Sequence, residues 1–271
     1  MIVYKILKLL PFWFLKALFR FLIFVVYIAL PKRRRITQEN IKLAIGGDYK
    51  RLALKSYFYF ADMIAFNLKF LGDKEFIEKH FRVEGYENFL KAKSLGKGVI
   101  FTTAHFSNFE FLVCGFAVLK EPIYIMVRPI DSKFVDNIVE TVRESCGNKV
   151  LSSRLSAFEF IKLLKKNSVL GILIDQAGGD GSFKVEFFGR KAKVSESVGV
   201  FSCRLKVPIL PAYLKEEDGV FTAVIEEPIM CDDNKPKMEA VQDVMDRVYR
   251  RFEEWIKKEP HKYFWMHNRW K

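Results

Sequence analysis

Two polar side chains stand directly after strand-like apolar runs, and both are of kinds that move or steer protons. His105 follows Val99–Ala104 (VIFTTA), with Glu110 five residues on in the same FSNFEF stretch. Asp175 closes Val169–Ile174 (VLGILI) ahead of a loop containing Gly178, Gly179 and Gly181. In α/β sheets, function gathers beyond the carboxyl ends of the strands. A histidine there can take a proton from a hydroxyl, and a carboxylate a helical turn or so away can fix its tautomer and stabilise the imidazolium that forms. This spacing makes His105 the candidate base and Glu110 its orienter. No serine lies in a Gly-x-Ser-x-Gly elbow, so direct attack by a substrate hydroxyl is a simpler reading than a covalent serine step. A His-x4-Glu pair recurs by chance, and a structural histidine is its bland alternative; the neighbourhood argues for more. Arg128 follows the strand-like Ile123–Val127, Arg143 lies late in the next helical stretch, and KVEFFGRKAKVSES adds Glu186, Arg190, Lys191 and Lys193. A guanidinium fork suits phosphate because it can bind two oxygens at once.

These residues need a scaffold, and the pattern around them supplies one. Short apolar runs at 99–104, 123–127, 169–174, 209–214 and 220–225 read as strands. Stretches at 51–71, 108–119, 132–145, 156–166, 195–205 and 238–258 read as helices. Strands alternating with helices predict an α/β fold with a mixed sheet flanked by helices. There is no internal repeat and no low-complexity linker. The expected organisation is a membrane-anchoring extension over 1–35 and one catalytic domain over 36–271.

The extension carries much of the charge. Of the net +13, eight charges fall in residues 1–35, which hold no acid, and five in the remainder. Residues 2–31 are rich in Leu, Ile, Phe and Val but are interrupted by Lys5, Lys8, Lys16 and Arg20. At 100° per residue those four cations share an arc of roughly 120°. The longest uncharged run, Phe21 to Pro31, is 11 residues, short of the ~20 needed to cross hydrocarbon. A basic amphipathic helix lying in the interface is therefore expected, with a tilted span as its rival. The charges interrupt the apolar stretch and no small-x-small site follows, which argues against a cleaved signal peptide. Lys32-Arg33-Arg34-Arg35 points to the anionic cytoplasmic leaflet. A composition of 50% hydrophobic and 28% charged residues excludes a disordered chain. The basic cluster sits on an apolar segment without a nucleic-acid-binding motif, so no nucleic-acid partner is expected. Cys114, Cys146, Cys203 and Cys231 are scattered, form no zinc pattern, and read as reduced thiols facing the cytoplasm.

The chain resembles the late acyltransferases of lipid A biosynthesis, within the wider glycerolipid acyltransferase superfamily. The matching signposts are AHFSNFE (104–110), VRP (127–129), VRESCGNKV (142–150), LIDQAGG (173–179), VEFFG (185–189) and HKYFWMHNRWK (261–271), in family order and spanning the chain. The resemblance implies transfer of a fatty acyl chain from acyl carrier protein to a hydroxyl of a lipid A precursor at the cytoplasmic face of the inner membrane. It implies no further cofactor and no metal. It gives His105 the base role, Glu110 the orienting role, and Glu186 a carboxylate position near the histidine. It gives Arg143 a substrate-binding role toward a glucosamine phosphate, with Arg128 second, and places Asn108, Asp175 and Gln176 in the substrate pocket as shaping rather than proton-carrying groups. The loop reads Asp-Gln-Ala where many relatives have Asp-Gln-Asp, and Ser195 stands where relatives often carry threonine. His261 and His267, without a visible carboxylate partner, read as packing or interfacial residues. The mildly basic body suits an acidic carrier protein. The enzymatic rival acts on another phosphoglycolipid or on lysophosphatidic acid. Glycerol-phosphate acyltransferases usually carry a Phe-Pro-Glu-Gly-type motif where this chain has LIDQAGG. The non-enzymatic rival is a basic lipid-binding membrane protein.

Overall fold

The computed structural model describes residues 2–127, 140–152, 157–176 and 183–270. Among these, a seven-stranded mixed sheet has the order β1-β9-β8-β2-β5-β3-β4. Its strands are β1 (Phe81–Glu84), β2 (Val99–Thr103), β3 (Tyr124–Val127), β4 (Lys149–Ser152), β5 (Val169–Leu173), β8 (Ile209–Glu217) and β9 (Val220–Ile225). Every residue of β2 is buried and β5 is nearly so, as expected of central parallel strands covered on both faces. Within this sheet, among the described residues, only β8 and β9 pair antiparallel. They are joined by Asp218-Gly219, both at positive φ, the two-residue turn whose twist matches a hairpin. A separate two-stranded hairpin is formed by β6 (Lys184–Phe187) and β7 (Arg190–Lys193).

One face of the sheet is covered by α11 (Lys237–Lys258). Its buried Val241, Val244, Val248, Phe252 and Trp255 recur every three or four residues, the stripe that seats a helix on a core. The opposite face is covered by α6 (Tyr86–Ser94) and α7 (Phe109–Leu119), whose Phe111, Leu112 and Phe116 pack on Phe101, Ile125 and Leu210. Helix α7 runs beside the described part of α8 (140–145), and Cys114 and Cys146 are joined there across a Cα separation of 5.2 Å. Cys203 on α10 (Ser197–Leu205) is joined to Cys231. The four cysteines are thus two disulfides rather than the expected reduced thiols. Sequence gaps of this kind say nothing of which helices lie side by side.

The N-terminal segment also departs from expectation. In place of one amphipathic helix over 2–31 there are α1 (Ile2–Leu9), α2 (Phe12–Ala29) and α3 (Pro31–Ala44). Pro11 has no N–H to continue α1, and Leu30, restricted by the following proline, ends α2. Lys16 and Arg20 both meet Asp62 of α4 (Tyr49–Phe70), Arg20 through two bonds of 2.7 and 2.6 Å. With its cations turned onto α4, α2 shows solvent an apolar surface: Trp13 is 71% exposed, Phe21 64% and Ile28 55%. Its 18 residues, of mean hydropathy 2.0 and 6% buried, are long and apolar enough to cross a membrane. The expected basic stop at 32–35 is the first turn of α3, a helix that extends past the expected boundary at residue 35.

Candidate active site

Strands β2 and β5 are parallel neighbours with Thr103 opposite Leu173. The residues two past each partner, His105 and Asp175, therefore leave the sheet side by side. His105 Nδ1 lies 2.7 Å from Asp175 Oδ1. An ionised carboxylate only accepts, so the ring proton sits on Nδ1 and the Nε2 lone pair is left to act as a base. The histidine side chain is 26% exposed and the aspartate 1%: the ring meets its surroundings while the carboxylate is buried. Burial pushes the Asp175 carboxyl up, but the facing His105, its hydrogen bonds and the Arg269 guanidinium outweigh burial and hold it below its ordinary value.

The segment after α11 holds this loop in place. Phe106 and Tyr263 form an antiparallel bridge. Phe264 N donates to the His105 carbonyl at 2.9 Å, and Ser107 N donates to the Lys262 carbonyl at 2.9 Å. The segment is held in turn from the N-terminal helices. Ser56 Oγ of α4 donates to the Tyr263 carbonyl, and Asn40 of α3 donates to the carbonyls of Trp265 and His267. Ser107 adopts φ 54°, a left-handed kink that a non-glycine residue holds only when its surroundings impose it. Asn108 then caps α7 by accepting from Phe111 N, and its amide donates to Asn67 of α4. This expected pocket residue thus has a positioning task.

Glu110, expected to orient His105, does not reach it. Its carboxylate takes both prongs of Arg143, at 2.9 Å from Nε and through a second, shorter contact from Nη2. The reason is local. The kink at Ser107 separates His105 from the first turn of α7, so the two residues do not share a helix face, and the ring of Phe109 packs edge-on to His105 instead, at 5.1 Å. Among the described residues, Glu110 and Arg143 are the only charged groups on the wall of a narrow apolar cavity of about 50 Å³ between α7 and the sheet. The cavity is bounded at the carboxyl edge of the strands by Thr103, Phe109 and Leu173, and by the small Gly171, Ala212 and Ala223 across the sheet.

Glu186 is exposed on β6, opposite Lys191, with no hydrogen bond to His105 among the described residues; strand alternation turns Val185 and Phe187 inward in its place. Gln176 is half-buried directly after Asp175. Arg128 and the glycines at 178, 179 and 181 lie outside the described residues. His267 is half-buried, with its Nδ1 out of hydrogen-bond reach of any partner among the described residues. Burial, then Arg269, lowers its pKa; burial, then Lys262, lowers that of His261. No cluster of three or more His, Cys, Asp or Glu that could hold a metal occurs among the described residues.

Sequence reasoning missed three contributors. Tyr263 is buried beside the Asp175 charge, and burial first, then that charge, push its pKa well above the usual range. Tyr249 of α11 donates to the Ile174 carbonyl. Arg269, 3% exposed, lies over the rings of Phe187 and Tyr249. The aromatic density of HKYFWMHNRWK was the available signal, and it did not say which strand end the segment would meet.

The model of the bacterial lipid A biosynthesis acyltransferase family matches residues 1–271. No curated protein matches the chain. The chain belongs to the bacterial lipid A biosynthesis acyltransferase family: it is an acyltransferase, with a lipid A precursor as substrate, in a family associated with membranes.

Proposed function

We propose that this acyltransferase takes its acyl group from the thioester of acyl carrier protein and places it on a hydroxyl of the lipid A precursor, without a covalent acyl-enzyme. His105 Nε2 takes the hydroxyl proton. The oxygen attacks the thioester carbonyl, the new C–O bond forms as the C–S bond breaks, and the imidazolium returns its proton to the departing thiolate. Asp175 keeps the ring in its Nδ1–H tautomer and balances the transient positive charge. The observation that carries the reading is the 2.7 Å contact between a partly exposed His105 and a dry Asp175. The apolar lining of the small cavity beneath α7 supports contact with a short part of the acyl chain. Arg143 and Arg128 are assigned to a substrate phosphate. The mildly basic body favours an acidic protein donor. The apolar α2 followed by Lys32–Arg35 supports an anchor in the inner membrane with the site on its cytoplasmic face.

The test is acyl transfer by detergent-solubilised protein from labelled acyl carrier protein to the lipid A precursor, comparing wild type with His105→Ala. Loss of transfer in a folded His105→Ala is expected. Transfer within about tenfold of wild type would remove the base role, which typically supplies 10²–10⁴-fold. Transfer to lysophosphatidic acid but not to the precursor would replace the acceptor, and transfer from another thioester alone would replace the donor.

A further inference from the structure

We infer that Arg269 is a positioning residue for acyl transfer: its buried charge keeps Asp175 ionised while His105 is neutral, and so selects the imidazole tautomer able to accept a proton. The inference rests on the reading of His105 as base. Among the described residues only three side chains of full charge are buried, Asp175, Lys262 and Arg269. Lys262 is answered by Glu259 at 2.6 Å. Among the described residues this leaves Asp175 and Arg269 as the two buried charges without a permanently charged ion-pair partner, and the Arg269 charge adds to His105 in favouring the Asp175 carboxylate.

The link is built. Arg269 Nη1 donates to the Lys193 carbonyl at 2.9 Å, and Nη2 donates to the Tyr249 hydroxyl at 3.4 Å. That hydroxyl donates to the carbonyl of Ile174, the residue before Asp175. Two aromatic faces, Phe187 at 5.4 Å and Tyr249 at 5.7 Å, complete the cradle. Among the described residues, the other titratable groups facing Asp175 are His105 from the end of β2, Tyr249 from α11, and Tyr263 and His267 from the tail segment. None of these can supply a cation before the reaction. His105 must be neutral to act, the tyrosines are held protonated by burial, and Arg269 itself disfavours a charged His267.

Chemistry makes the charge necessary. A dry carboxyl without a counter-ion takes up a proton. Protonated Asp175 would donate to His105 Nδ1, move the ring hydrogen to Nε2 and leave no lone pair toward the acceptor hydroxyl.

The test is the pH profile of kcat and KM for wild type, Arg269→Gln and Arg269→Lys. In Arg269→Gln the acid limb should move up by about one pH unit or more. Its kcat at neutral pH should fall at least about tenfold, the scale of a lost general base, with KM unchanged. Arg269→Lys, which keeps the charge, should restore the limb. An unmoved limb in a folded Arg269→Gln, or one that lysine does not restore, overturns the inference. Should Arg269→Gln fail to fold, the variant that also carries Asp175→Asn removes both buried charges and should recover a cooperative melt; no recovery overturns it too. If wild type transfers no acyl group, the functional reading falls, while the melting cycle of the two single variants and the double still reads the coupling.

Discussion

The pairing of His105 with Asp175 in place of Glu110 makes a quantitative distinction between two carboxylates that sequence spacing ranks the other way. Asp175→Asn keeps the shape and removes the charge. In the transition state the imidazolium then lacks a counter-ion whose oxygen sits 2.7 Å from Nδ1. For charge centres about 4 Å apart at an effective dielectric near 20, that interaction is worth about 4 kcal/mol. At 1.36 kcal/mol per tenfold, kcat should fall by about three orders of magnitude. The amide can also turn its N–H toward the ring and stabilise the wrong tautomer, which pushes in the same direction. Glu110→Gln loosens the clamp on Arg143 without touching the ring, so its kcat should fall less than about tenfold, an uncompensated partner costing binding and stability more than proton transfer. The assay is steady-state acyl transfer, run after circular dichroism and melting show that both variants fold, because Asp175→Asn also leaves Arg269 buried without its counter-charge. A three-order loss in Glu110→Gln with near-wild-type turnover in Asp175→Asn would refute the reasoning. It would mean that the loaded enzyme moves Glu110 onto His105.

Three further outcomes follow from features away from that pair. In Gly115→Ala, a change that helix propensity alone favours, the new Cβ would stand 2.2 Å from the buried Phe81 ring. A net loss of about 1–3 kcal/mol is expected, read as a melting temperature several degrees lower; an unchanged or higher value would show that the ring yields freely. His261 and His267 are both held below the ordinary histidine value in the folded chain. As pH drops below about 6.5 the unfolded chain protonates first, so stability should decline until the folded rings protonate as well. His267→Gln should flatten that decline in melting scans between about pH 6.5 and 5, and an unaltered slope would contradict it. Replacing the exposed Phe21 and Ile28 of α2 by Glu should reduce sedimentation with anionic vesicles at least about tenfold, since each large apolar side chain is worth about 1.5–3 kcal/mol on burial. Equal sedimentation would remove α2 as the anchor.

The parts legible in the sequence were those with a strong period or a continuous apolar run. VIFTTA and VLGILI are β2 and β5, and the three-and-four spacing in 238–258 is α11. Short, half-polar elements such as β1 (FRVE) and the β6–β7 hairpin offered too few alternations to read. Pro11 and Pro31 were visible, yet the even arc of cations over 2–31 suggested one helix, because periodicity cannot show that Asp62 waits on α4 for two of them. His105 stood out by its place at a strand exit. Its partner did not, since that depends on the register of two strands whose pairing joins residues 70 apart.

The bonds from Asn40 to the carbonyls beyond Tyr263 bear on how such a molecule is made. Asn40 and Trp265 are 225 residues apart, roughly 11–45 s of synthesis at 5–20 residues per second. Helix α2 leaves the ribosome at the start of that interval, and its apolar face is free to partition as soon as it emerges. The clasp on the His105 loop comes together only at the end. If α2 is the anchor and His105 the base, as proposed, the nascent chain is tethered before it is competent, and the base is set in place where the lipid acceptor already lies.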